Sequence, residues 1–484
     1  MNFQGKQVLV FGSGISGAAA SRLLLKKGAT VVLYDSNETL DKEAIKEEVL
    51  LRTGGPMKVV FENGFSVSEP ASTSAKPQYI SSFVNKLQVM VGPLSPDMIT
   101  WPELVILSPG VPLDIPLVEA FKKQNIPIWG EVELACVVGR GEILAITGTN
   151  GKTTTTALLG EIIRGYTPNT FVVGNIGNPY TDIALQTDDR SVIVAEMSSF
   201  QLETVLTFHP KVSAFLNLSP DHLDRHHTMG CYIAAKENIA KNQTKADFCI
   251  VNYEDEVTRA FGEKIQAQAV YFSSQRKLDK GIYLLDGQII WQEETKEPVK
   301  ICHIDDLLVL GTHNHENVMA AAAMALVYGV PVKTVRDTVR TYKGVPHRIE
   351  FVAKKSGVYY YNDSKATNPD AAIKAVQAMN RPTVLIGGGY DKEASYDEWI
   401  EAFAGKVKKL VLIGSTKDKI ARSAQKLGFT DIILADTLEE AVKVSAAYAN
   451  RKDAVLLSPA CASWDMFRNY EERGDRFKEL VEQL

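Results

Sequence analysis

The sequence has few cysteines, no long hydrophobic run and no large excess of charge of either sign. Its five cysteines are widely spaced without a C-x-x-C pair, which argues against a zinc knuckle or a disulfide framework and favours a reducing compartment. With 53 Lys and Arg against 58 Asp and Glu, the formal net charge is -5, so the basic surface typical of nucleic-acid binding is not expected. No apolar run approaches roughly 18 residues, and no signal-peptide pattern opens the chain. We therefore expect a cytoplasmic protein that neither inserts into a membrane nor binds nucleic acid.

Short runs of β-branched residues alternate with helical patterns along all 484 residues. This alternation predicts α/β domains, in which parallel sheets carry helices on their faces. At about 150 residues per domain, the length favours three domains. We place a Rossmann-like N-terminal domain at residues 1–131, a central domain of the P-loop ATPase type at residues 132–345, and a Rossmann-like C-terminal domain at residues 346–484. A Ser- and Pro-rich stretch at residues 66–76 is expected to be a surface excursion.

A glycine-rich turn at residues 12–17 (GSGISG) follows a predicted strand at residues 7–11 and opens a predicted helix, and Asp35 closes the next strand. This is the spacing of a dinucleotide fingerprint, in which glycines let backbone N–H groups approach a pyrophosphate. The pattern alone is compatible with NAD, with another diphosphate, or with close helix–strand packing only. Of these three interpretations, we favour another diphosphate.

A second phosphate-type loop, residues 148–153 (GTNGKT), follows another predicted strand. It supplies small residues, a lysine to reach the β and γ phosphates of a nucleotide, and a hydroxyl for Mg²⁺. The strict pattern places a glycine where this chain has Ile146, so the loop is a shorter G-x-x-G-K-T variant. The alternative is a tight turn with a capping threonine, and we favour the phosphate loop.

Acidic and imidazole groups follow the next predicted strands of the central domain. Glu196 ends one predicted strand, and Asp221 and His222 follow another. Because ligands of open α/β sheets bind at the carboxyl ends of the strands, we expect these groups to serve Mg²⁺ or a substrate phosphate rather than a purely structural role. We expect His226 and His227, a few residues later, to lie on the surface.

The order and combination of these motifs resembles the Mur ligases, the ATP-dependent amide ligases that build the peptidoglycan stem peptide. The compact phosphate loop is shared with that superfamily, and the resemblance extends over all three predicted domains. Its more specific parts are residues 196–203 (EMSSFQLE), residues 221–225 (DHLDR), Asn314 and Asn317, the His347-Arg348 pair, residues 363–368 (DSKATN) and residues 458–463 (SPACAS).

The resemblance implies a ligase that adds D-glutamate to UDP-N-acetylmuramoyl-L-alanine through an acyl phosphate, in peptidoglycan precursor synthesis. It implies ATP and two Mg²⁺ ions as cofactors, and a monomer. Within the family, the L-alanine-adding ligase is the nearest alternative. Outside it, an NAD-dependent dehydrogenase leaves the phosphate loop without a role, and a nucleotide-dependent switch leaves the first glycine turn unexplained.

The resemblance also implies a role for each matching position. The UDP-substrate would contact Ile15, Ser16, Asp35, Ser36, Ser108, Gly110 and Asn175. ATP would contact Gly148, Thr149, Asn150, Gly151, Lys152, Thr153, Thr154, Asn317, Arg348 and Asp363. D-Glutamate would contact Lys365, Thr367, Lys392, Ser463 and Tyr470. The metal ligands would be Thr153, Glu196, His222 and Lys236, and the catalytic residues Lys152, His222 and Lys236.

Lys236 lies on the predicted helix after His222. From its residue type alone, a solvated helix lysine is the favoured interpretation, because most such lysines face water. The resemblance instead implies a carbamoylated lysine that helps to bind Mg²⁺. Because carbamoylation requires a neutral amine, we expect burial or nearby cations to lower the pKa of Lys236.

Overall fold

The computed structural model describes residues 1–51 and 86–484, so the predicted excursion at residues 66–76 lies outside the described residues. The chain folds into two compact units. The first consists of Met1–Ser273, Leu278–Ile282 and Ala320–Pro331, and the second of Ser274–Lys277, Tyr283–Met319 and Val332–Leu484. Strands and helices alternate and the central strand pairs are parallel, which confirms the predicted α/β class. Within the described ranges, no helix is both long enough and apolar enough to cross a membrane.

The N-terminal part of the first unit contains a five-stranded parallel sheet. Its strands are β1 (Gln7–Phe11), β2 (Thr30–Asp35), β3 (Leu87–Val91), β4 (Leu104–Leu107) and β5 (Ile128–Gly130), in the order β3-β2-β1-β4-β5. The helices are α1 (Ile15–Lys26), α2 (Lys42–Leu51), α3 (Pro116–Lys123) and α4 (Glu131–Val138). Strands β2 and β3 lie on one side of β1, and β4 and β5 lie on the other, so the strand order reverses at β1. In an open α/β sheet, the crevice beyond the carboxyl ends of the strands at such a reversal is the expected ligand position.

A second sheet follows in the same unit. Six of its strands are β6 (Glu142–Thr147), β7 (Thr170–Gly174), β8 (Val192–Glu196), β9 (Val212–Phe215), β10 (Phe248–Asn252) and β11 (Gln268–Ser273), in the parallel order β11-β10-β9-β6-β8-β7. The helices are α5 (Lys152–Arg164), α6 (Tyr180–Ile183), α7 (Ser199–Leu202), α8 (Leu223–His226), α9 (Met229–Glu237) and α10 (Glu256–Gly262). The carboxyl ends of β6, β8 and β9 meet at one edge, as the sequence predicts for the phosphate loop, Glu196 and His222.

Three further strands, β12 (Gly281–Leu285), β13 (Gln288–Gln292) and β14 (Val299–His303), precede helices α11 (Thr312–Tyr328) and α12 (Val332–Thr341). Asp286 and Gly287 form the turn between β12 and β13, with φ values of 49° and 74°, and positive φ values at both residues are typical of a type I′ turn. Strands β13 and β14 pair antiparallel.

The second unit contains a sheet of six strands, β15 (Glu350–Lys355), β16 (Val358–Asn362), β17 (Thr383–Gly388), β18 (Val407–Ile413), β19 (Ile432–Leu434) and β20 (Ala454–Leu457), in the order β15-β16-β20-β17-β18-β19. Its helices are α13 (Pro369–Ala378), α14 (Asp397–Glu401), α15 (Lys417–Lys426), α16 (Leu438–Tyr448) and α17 (Tyr470–Glu482). Strands β16 to β20 form parallel pairs, as expected for the Rossmann-like domain predicted here, whereas β15 pairs antiparallel and was not predicted. Its residues are mostly half-buried, so this edge strand lacks the continuous apolar run of the buried strands.

The two sheets of the first unit share one hydrophobic core, to which α1, α4 and α6 contribute. A buried ion pair crosses this contact. Arg22 of α1 donates from Nε and Nη2 to Asp182 Oδ1 of α6 at 3.1 and 2.8 Å, and from Nη2 to Oδ2 at 3.0 Å. The Arg22 side chain is only 5% exposed, so loss of its partner would leave a buried and uncompensated charge.

Replacement of the carboxylate, Asp182→Ala, is expected to lower the free energy of unfolding by about 3 kcal/mol, because Arg22 would remain buried without a counter-charge. The measurement is urea unfolding of the whole chain, followed by circular dichroism. The exposed pair Arg140–Asp189, at 3.9 Å, provides the control. Asp189→Ala should change stability by less than about 0.5 kcal/mol, and an Asp182→Ala protein as stable as this control would contradict the prediction.

Candidate active site

A cleft lies beyond the carboxyl end of β1, with a volume of about 730 Å³. All seven residues predicted for the UDP-substrate line it: Ile15, Ser16, Asp35, Ser36, Ser108, Gly110 and Asn175. Ile15 is 66% exposed although it is apolar, as expected for a side chain that forms the wall of a ligand site rather than of a core. The structure therefore brings together residues that are up to 160 positions apart in the sequence.

The glycine turn of the cleft is held by very close packing. A Cβ atom on Gly17 would lie 1.7 Å from Gly12 O, so only glycine allows α1 to begin this close to the turn. Ser108, which follows β4, donates a hydrogen bond from Oγ to the same Gly12 O at 2.8 Å. The turns after β1 and β4 are thus fixed to each other, and their backbone forms the floor of the cleft.

Asp35 is fixed at the rim of the cleft. Its Oδ2 accepts hydrogen bonds from Ser13 N at 2.9 Å and Ser13 Oγ at 2.8 Å. Burial raises the pKa of Asp35, but the hydrogen bonds from Ser13 and Asn37 outweigh it and bring the pKa below its ordinary value. Asp35 is therefore a carboxylate at neutral pH and can accept hydrogen bonds from a ligand's N–H or hydroxyl group.

The phosphate loop, residues 148–153, turns sharply between β6 and α5. Gly151 has φ of 84° and is the N-cap of α5, whose first turn contains Lys152, Thr153 and Thr154. Lys152 Nζ donates to the carbonyl oxygens of Gly148 at 3.0 Å and Thr149 at 2.8 Å. Backbone N–H groups, a helix N-terminus and an ammonium thus converge, which is the arrangement that binds phosphate.

Asn217, two residues after β9, clamps this loop. Its Oδ1 accepts from Asn150 N at 2.9 Å, its Nδ2 donates to Asn150 O at 3.1 Å, and its backbone O accepts from Thr149 N at 3.0 Å. The sequence analysis did not identify Asn217. Its position at the end of a strand next to β6 was the available signal.

Glu196 ends β8, where it is in register with Ile146 of β6. Its Oε1 accepts a hydrogen bond from Asn175 Nδ2 at 2.7 Å, and its Oε2 is buried without a hydrogen-bond partner. An unpaired buried carboxylate oxygen is unfavourable unless it meets a cation, so Glu196 fits a Mg²⁺ ligand. Because Asn175 also lines the cleft, this contact joins the cleft to the edge that carries the phosphate loop.

Within residues 1–51 and 86–484, no group of three or more His, Cys, Asp or Glu side chains forms a ready-made metal site. The predicted ligands are of a different kind. They comprise the Thr153 hydroxyl, Glu196, His222 and a carbamate on Lys236, so the full set would need a modified lysine.

His222 begins the one-turn helix α8 in a left-handed conformation, with φ of 52°. Its side chain is 48% exposed, and its ring centroid lies 4.9 Å from that of Phe200 and 6.4 Å from that of Tyr232. Tyr232 OH lies 3.2 Å from Thr149 Oγ1 of the phosphate loop. The structure therefore places the half-exposed His222 side chain near the phosphate loop.

The prediction of a surface position is confirmed for His227 and is wrong for His226. His227 is exposed and lies 2.9 Å from Asp114. His226 is buried, with Nε2 2.9 Å from Ser199 Oγ and Nδ1 3.3 Å from Glu203 Oε1. Burial lowers its pKa, partly opposed by Glu203. The helix α8 has a single turn, too short for its buried face to show as a sequence period.

Lys236 is 1% exposed, so the interpretation as a solvated helix lysine is wrong. Its Nζ donates to Gly148 O at 2.7 Å and lies 4.8 Å from the centroid of the Tyr232 ring. Burial, and then the nearby charge of Lys152, lower the pKa of Lys236 to about 7, against a smaller opposing effect of Asp221. The expected neutral amine is therefore well populated at neutral pH.

The second unit carries the other residues predicted for ATP. Asp363 follows β16 and is buried, accepting from Ser458 Oγ at 2.7 Å and from Ile349 N at 3.2 Å. Burial raises its pKa to about 7, although the hydrogen bonds and the charge of Arg348 act in the opposite direction. Asn317 donates to Asn314 Oδ1 at 3.2 Å on α11. Asp363 and Arg348 thus interact, and Asn317 hydrogen-bonds a residue of its own helix.

Four of the predicted D-glutamate residues lie on loops that follow strands of the second unit's sheet, and the fifth, Tyr470, is the first residue of α17. Lys365 Nζ lies 5.6 Å from the centroid of the Tyr470 ring. Lys392 Nζ lies 4.9 Å from the Trp464 ring, and Trp464 directly follows the buried Ser463. Thr367 N donates to Lys365 O at 2.9 Å. The five positions therefore form two groups, one around Lys365 and one around Ser463.

The sequence matches known families over most of its length. The model of the Mur ligase middle domain matches residues 146–325, and that of the "Mur ligase, glutamate ligase domain" matches residues 347–461. A protein of Lachnoclostridium phytofermentans named UDP-N-acetylmuramoylalanine--D-glutamate ligase is 49% identical to this chain, over 100% of this chain and 99% of that protein. The chain belongs to the Mur ligase family. The predicted resemblance is confirmed.

Other relatives of this Mur ligase carry the same name. The protein of Lachnospira eligens is 49% identical and that of Clostridioides difficile 43%, each over 100% of both chains. Among solved structures, UDP-N-acetylmuramate-alanine ligase MurC from Thermotoga maritima is similar in fold, with a TM-score of 0.54 at 20% identity over 99% of each chain. A structure of UDP-N-acetylmuramoyl-L-alanyl-D-glutamate--2,6-diaminopimelate ligase gives a TM-score of 0.54 at 19% identity, over 94% of this chain and 86% of that one. These structures support the predicted fold.

Two further residues of this Mur ligase were missed by the sequence analysis. Tyr232 contacts Thr149 and lies beside both His222 and Lys236, and Ser458 donates to Asp363. Tyr232 lies one helical turn before Lys236, on the same face of α9, and this spacing was a usable signal. Ser458 is the first residue of the motif at residues 458–463. Its contact with Asp363 joins residues 95 positions apart, so the sequence alone did not indicate it.

Proposed function

We propose that this Mur ligase activates the carboxylate of UDP-N-acetylmuramoyl-L-alanine with ATP and joins the resulting acyl phosphate to the amine of D-glutamate. The observation that carries the proposal is the contact between Asn175 and Glu196. Asn175 lies in the cleft that contains the seven predicted UDP-substrate residues, and Glu196 lies at the strand edge that carries the phosphate loop. The contact therefore joins the two places. A substrate bound in the cleft would therefore extend its free carboxylate toward the phosphoryl donor. The names of the relatives, at 42–49% identity, support the same reaction.

The phosphate loop would bind the phosphates of ATP through its backbone N–H groups and Lys152. Lys152 now donates to two neutral carbonyl oxygens. Phosphate oxygens are charged and accept stronger hydrogen bonds, so bound ATP would draw the ammonium away from those carbonyls. The remaining proposed ATP contacts are Gly148, Thr149, Asn150, Gly151, Thr153 and Thr154 in the first unit and Asn317, Arg348 and Asp363 in the second.

Mg²⁺ would be held by Thr153, Glu196, His222 and a carbamate on Lys236, and the unpaired Glu196 Oε2 supports this assignment. When bound, Mg²⁺ neutralises the charge that spreads over the oxygens of the transferring phosphoryl group. In the first step, a substrate carboxylate oxygen bonds to the γ-phosphorus and ADP leaves. In the second, the D-glutamate amine bonds to the acyl carbon and phosphate leaves. The half-exposed His222 is a base that would accept the amine proton if it is not committed to the metal.

Carbamoylation of Lys236 would remove an unfavourable contact between like charges. Lys152 and Lys236 both donate to Gly148 O, so two cations lie close together in a buried site. The neutral amine of Lys236 bonds to the carbon of CO₂ and loses one proton, which gives an anion. The repulsion between two cations is thereby replaced by attraction between the carbamate and the Lys152 ammonium.

Recognition of D-glutamate is proposed for Lys365, Thr367, Lys392, Ser463 and Tyr470. Two lysines match the two carboxylates of glutamate, whereas alanine carries only one. The pair of lysines therefore favours the D-glutamate-adding reaction over the L-alanine-adding alternative. Family membership likewise favours a ligase over an NAD-dependent dehydrogenase or a nucleotide-dependent switch.

The proposal includes a monomer in the cytoplasm, with domain boundaries near residues 131 and 345. All five cysteines are unpaired, and three of them are buried, which supports a reducing compartment. The boundary near residue 131 falls between β5 and α4, and that near residue 345 falls between α12 and β15.

The variant Lys152→Ala is expected to reduce turnover to background and to leave the fold intact, because Lys152 hydrogen-bonds the loop rather than the core. Binding of the UDP-substrate should persist, since its cleft does not include Lys152. The measurements are phosphate release for turnover and calorimetry for substrate binding. The control is Lys211→Ala, since Lys211 binds Ala246 O at the opposite end of the sheet. Normal ligation by a folded Lys152→Ala enzyme would exclude the phosphate-loop assignment.

Both Lys236→Ala and Lys236→Arg are expected to lose nearly all activity, because arginine keeps the charge but cannot form the carbamate. The exposed Lys241, five residues later, provides matched controls, and Lys241→Ala and Lys241→Arg should retain activity. Wild-type protein equilibrated with ¹³C-labelled CO₂ should show a carbamate signal in the NMR spectrum, and both Lys236 variants should lack that signal. A Lys236→Arg enzyme with near-normal activity would contradict this assignment.

The amino-acid assay tests the function itself. With UDP-N-acetylmuramoyl-L-alanine as acceptor, kcat/KM for D-glutamate should exceed that for D-glutamine and D-alanine by a factor of about 100 or more, because charged side chains in the site would be left unpaired. ATP consumption should require the acceptor substrate. Equal kcat/KM for D-alanine would refute the proposal, and L-alanine ligation to the unsubstituted UDP-sugar would favour the alternative Mur ligase.

A further inference from the structure

Arg473, on α17, is a cation that none of the roles above uses. Its side chain is among the largest fully buried ones in the described chain, at 1% exposure. Its Nε donates to Ser364 Oγ at 2.9 Å and its Nη2 to Ser364 O at 2.8 Å. Its Nη1 donates to Cys461 O at 3.1 Å and to Ala462 O at 3.3 Å. One guanidinium therefore joins two loops that lie about 100 positions apart in the sequence.

A third loop passes against the same guanidinium. A Cβ atom built on Gly389 would lie only 3.2 Å from Arg473 Nη1, so the backbone of that loop runs directly beside the charge. Tyr390 N also donates to Ala462 O at 2.9 Å, which ties the third loop to the second. The three loops follow the adjacent strands β16, β20 and β17, at the carboxyl edge of the sheet.

Each of these three loops carries a residue predicted to bind the amino acid. Ser364 directly precedes Lys365, Ala462 directly precedes Ser463, and Gly389 lies three residues before Lys392. A fourth predicted residue is reached through Ser364, whose Oγ donates to Tyr470 O at 2.8 Å. The hydrogen bonds of Arg473 therefore end next to two groups of predicted amino-acid contacts, and its close approach to Gly389 reaches the loop of the third.

Arginine is required for this arrangement on geometric grounds. Its planar group presents five N–H donors at fixed angles and can serve several acceptors at once, whereas lysine presents one ammonium. Among the described residues, no carboxylate lies within ion-pair distance of Arg473. Burial lowers its pKa to about 10, so the group remains charged at neutral pH. Asp465 and Asp363 partly oppose this shift, but the hydrogen bonds of the guanidinium go only to neutral oxygens. Burying a charge without a directly paired carboxylate is costly, so a role beyond packing is expected.

We propose that Arg473 is a positioning residue for the amino-acid site: its guanidinium fixes the loops of residues 364–367, 389–392 and 461–464 so that their side chains converge on the acidic substrate. The identity of that substrate rests on the proposed function. The positioning of the three loops does not, because it is a property of the free protein. A purely structural arginine would instead stabilise the unit without selective effect on one substrate.

The test uses the full-length enzyme with Arg473→Lys and Arg473→Met. Both variants should raise KM for D-glutamate by about tenfold or more, as expected when binding groups are misplaced by a fraction of an ångström to 1 Å. Both should leave KM for the UDP-substrate and for ATP within about twofold. In the free protein, backbone amides of the three loops should exchange hydrogen faster, while those of strands β17 and β20 remain protected.

Two matched variants serve as controls. Arg476 lies on the same helix, one turn later, and pairs with Glu479 at the surface, so Arg476→Met should behave as the wild type. Arg22 is also buried but lies in the first unit, so Arg22→Lys should lower stability without a selective change in KM for D-glutamate.

The outcomes separate this proposal from the function. Unchanged KM for D-glutamate and unchanged exchange in a folded Arg473→Lys protein would overturn it, as would an equal rise of all three KM values. If Arg473→Met does not fold, the Arg473→Lys variant alone tests the positioning role. If the wild type does not use D-glutamate, the proposed function fails, and the exchange rates of the three loops still support or overturn the positioning role.

Discussion

Two lysine ammonium groups share a single backbone oxygen, Gly148 O, and the chemistry of the first unit depends on this contact. Lys152 and Lys236 donate to it at 3.0 and 2.7 Å, one from the phosphate loop and one from α9. The contact holds the loop closed around its own lysine. It also brings the half-buried Lys152 close to the buried Lys236, and the charge of Lys152 contributes to the lowered pKa of Lys236. An anion at this point, whether phosphate or carbamate, relieves the repulsion.

The parallel sheets place the other groups around that contact. Strands β6, β8 and β9 are neighbours, so the phosphate loop, Glu196 and Asn217 emerge at the same edge. The cleft of the N-terminal sheet reaches this edge through Asn175, which lines the cleft and hydrogen-bonds Glu196. The ion pair between Arg22 and Asp182 fixes the two sheets to each other. The cleft and the phosphate loop thus belong to one compact unit with a shared core.

The sequence predicted the buried strands well and the half-buried ones poorly. The bounds of β1 and the end of β8 at Glu196 agree with prediction, because strands covered on both faces are continuous apolar runs. Strand β15 was missed because its residues are half-buried, and His226 was misplaced because one helical turn shows no period. The seven residues predicted for the UDP-substrate line one cleft. The spacing of the sequence indicated the glycine turn and Asp35, and the family resemblance supplied the substrate and the other positions. Asn217 and Arg473 were not predicted, because both residue types are mostly exposed in proteins and their contacts join distant parts of the chain, although Asn217 does stand at the end of a strand.

Burial has different consequences for the lysine at position 236 and the arginine at position 473. Each is 1% exposed, and each hydrogen-bonds backbone carbonyl oxygens, and Arg473 also the Ser364 hydroxyl. Burial brings the pKa of Lys236 to about 7, so the amine can lose its proton and react. The same effect brings the pKa of Arg473 only to about 10, so the guanidinium keeps its charge and its donor geometry. A lysine at position 473 would tend to lose its charge on burial, and an arginine at position 236 would remain unreactive. The residue types therefore match a chemical role at position 236 and a positioning role at position 473.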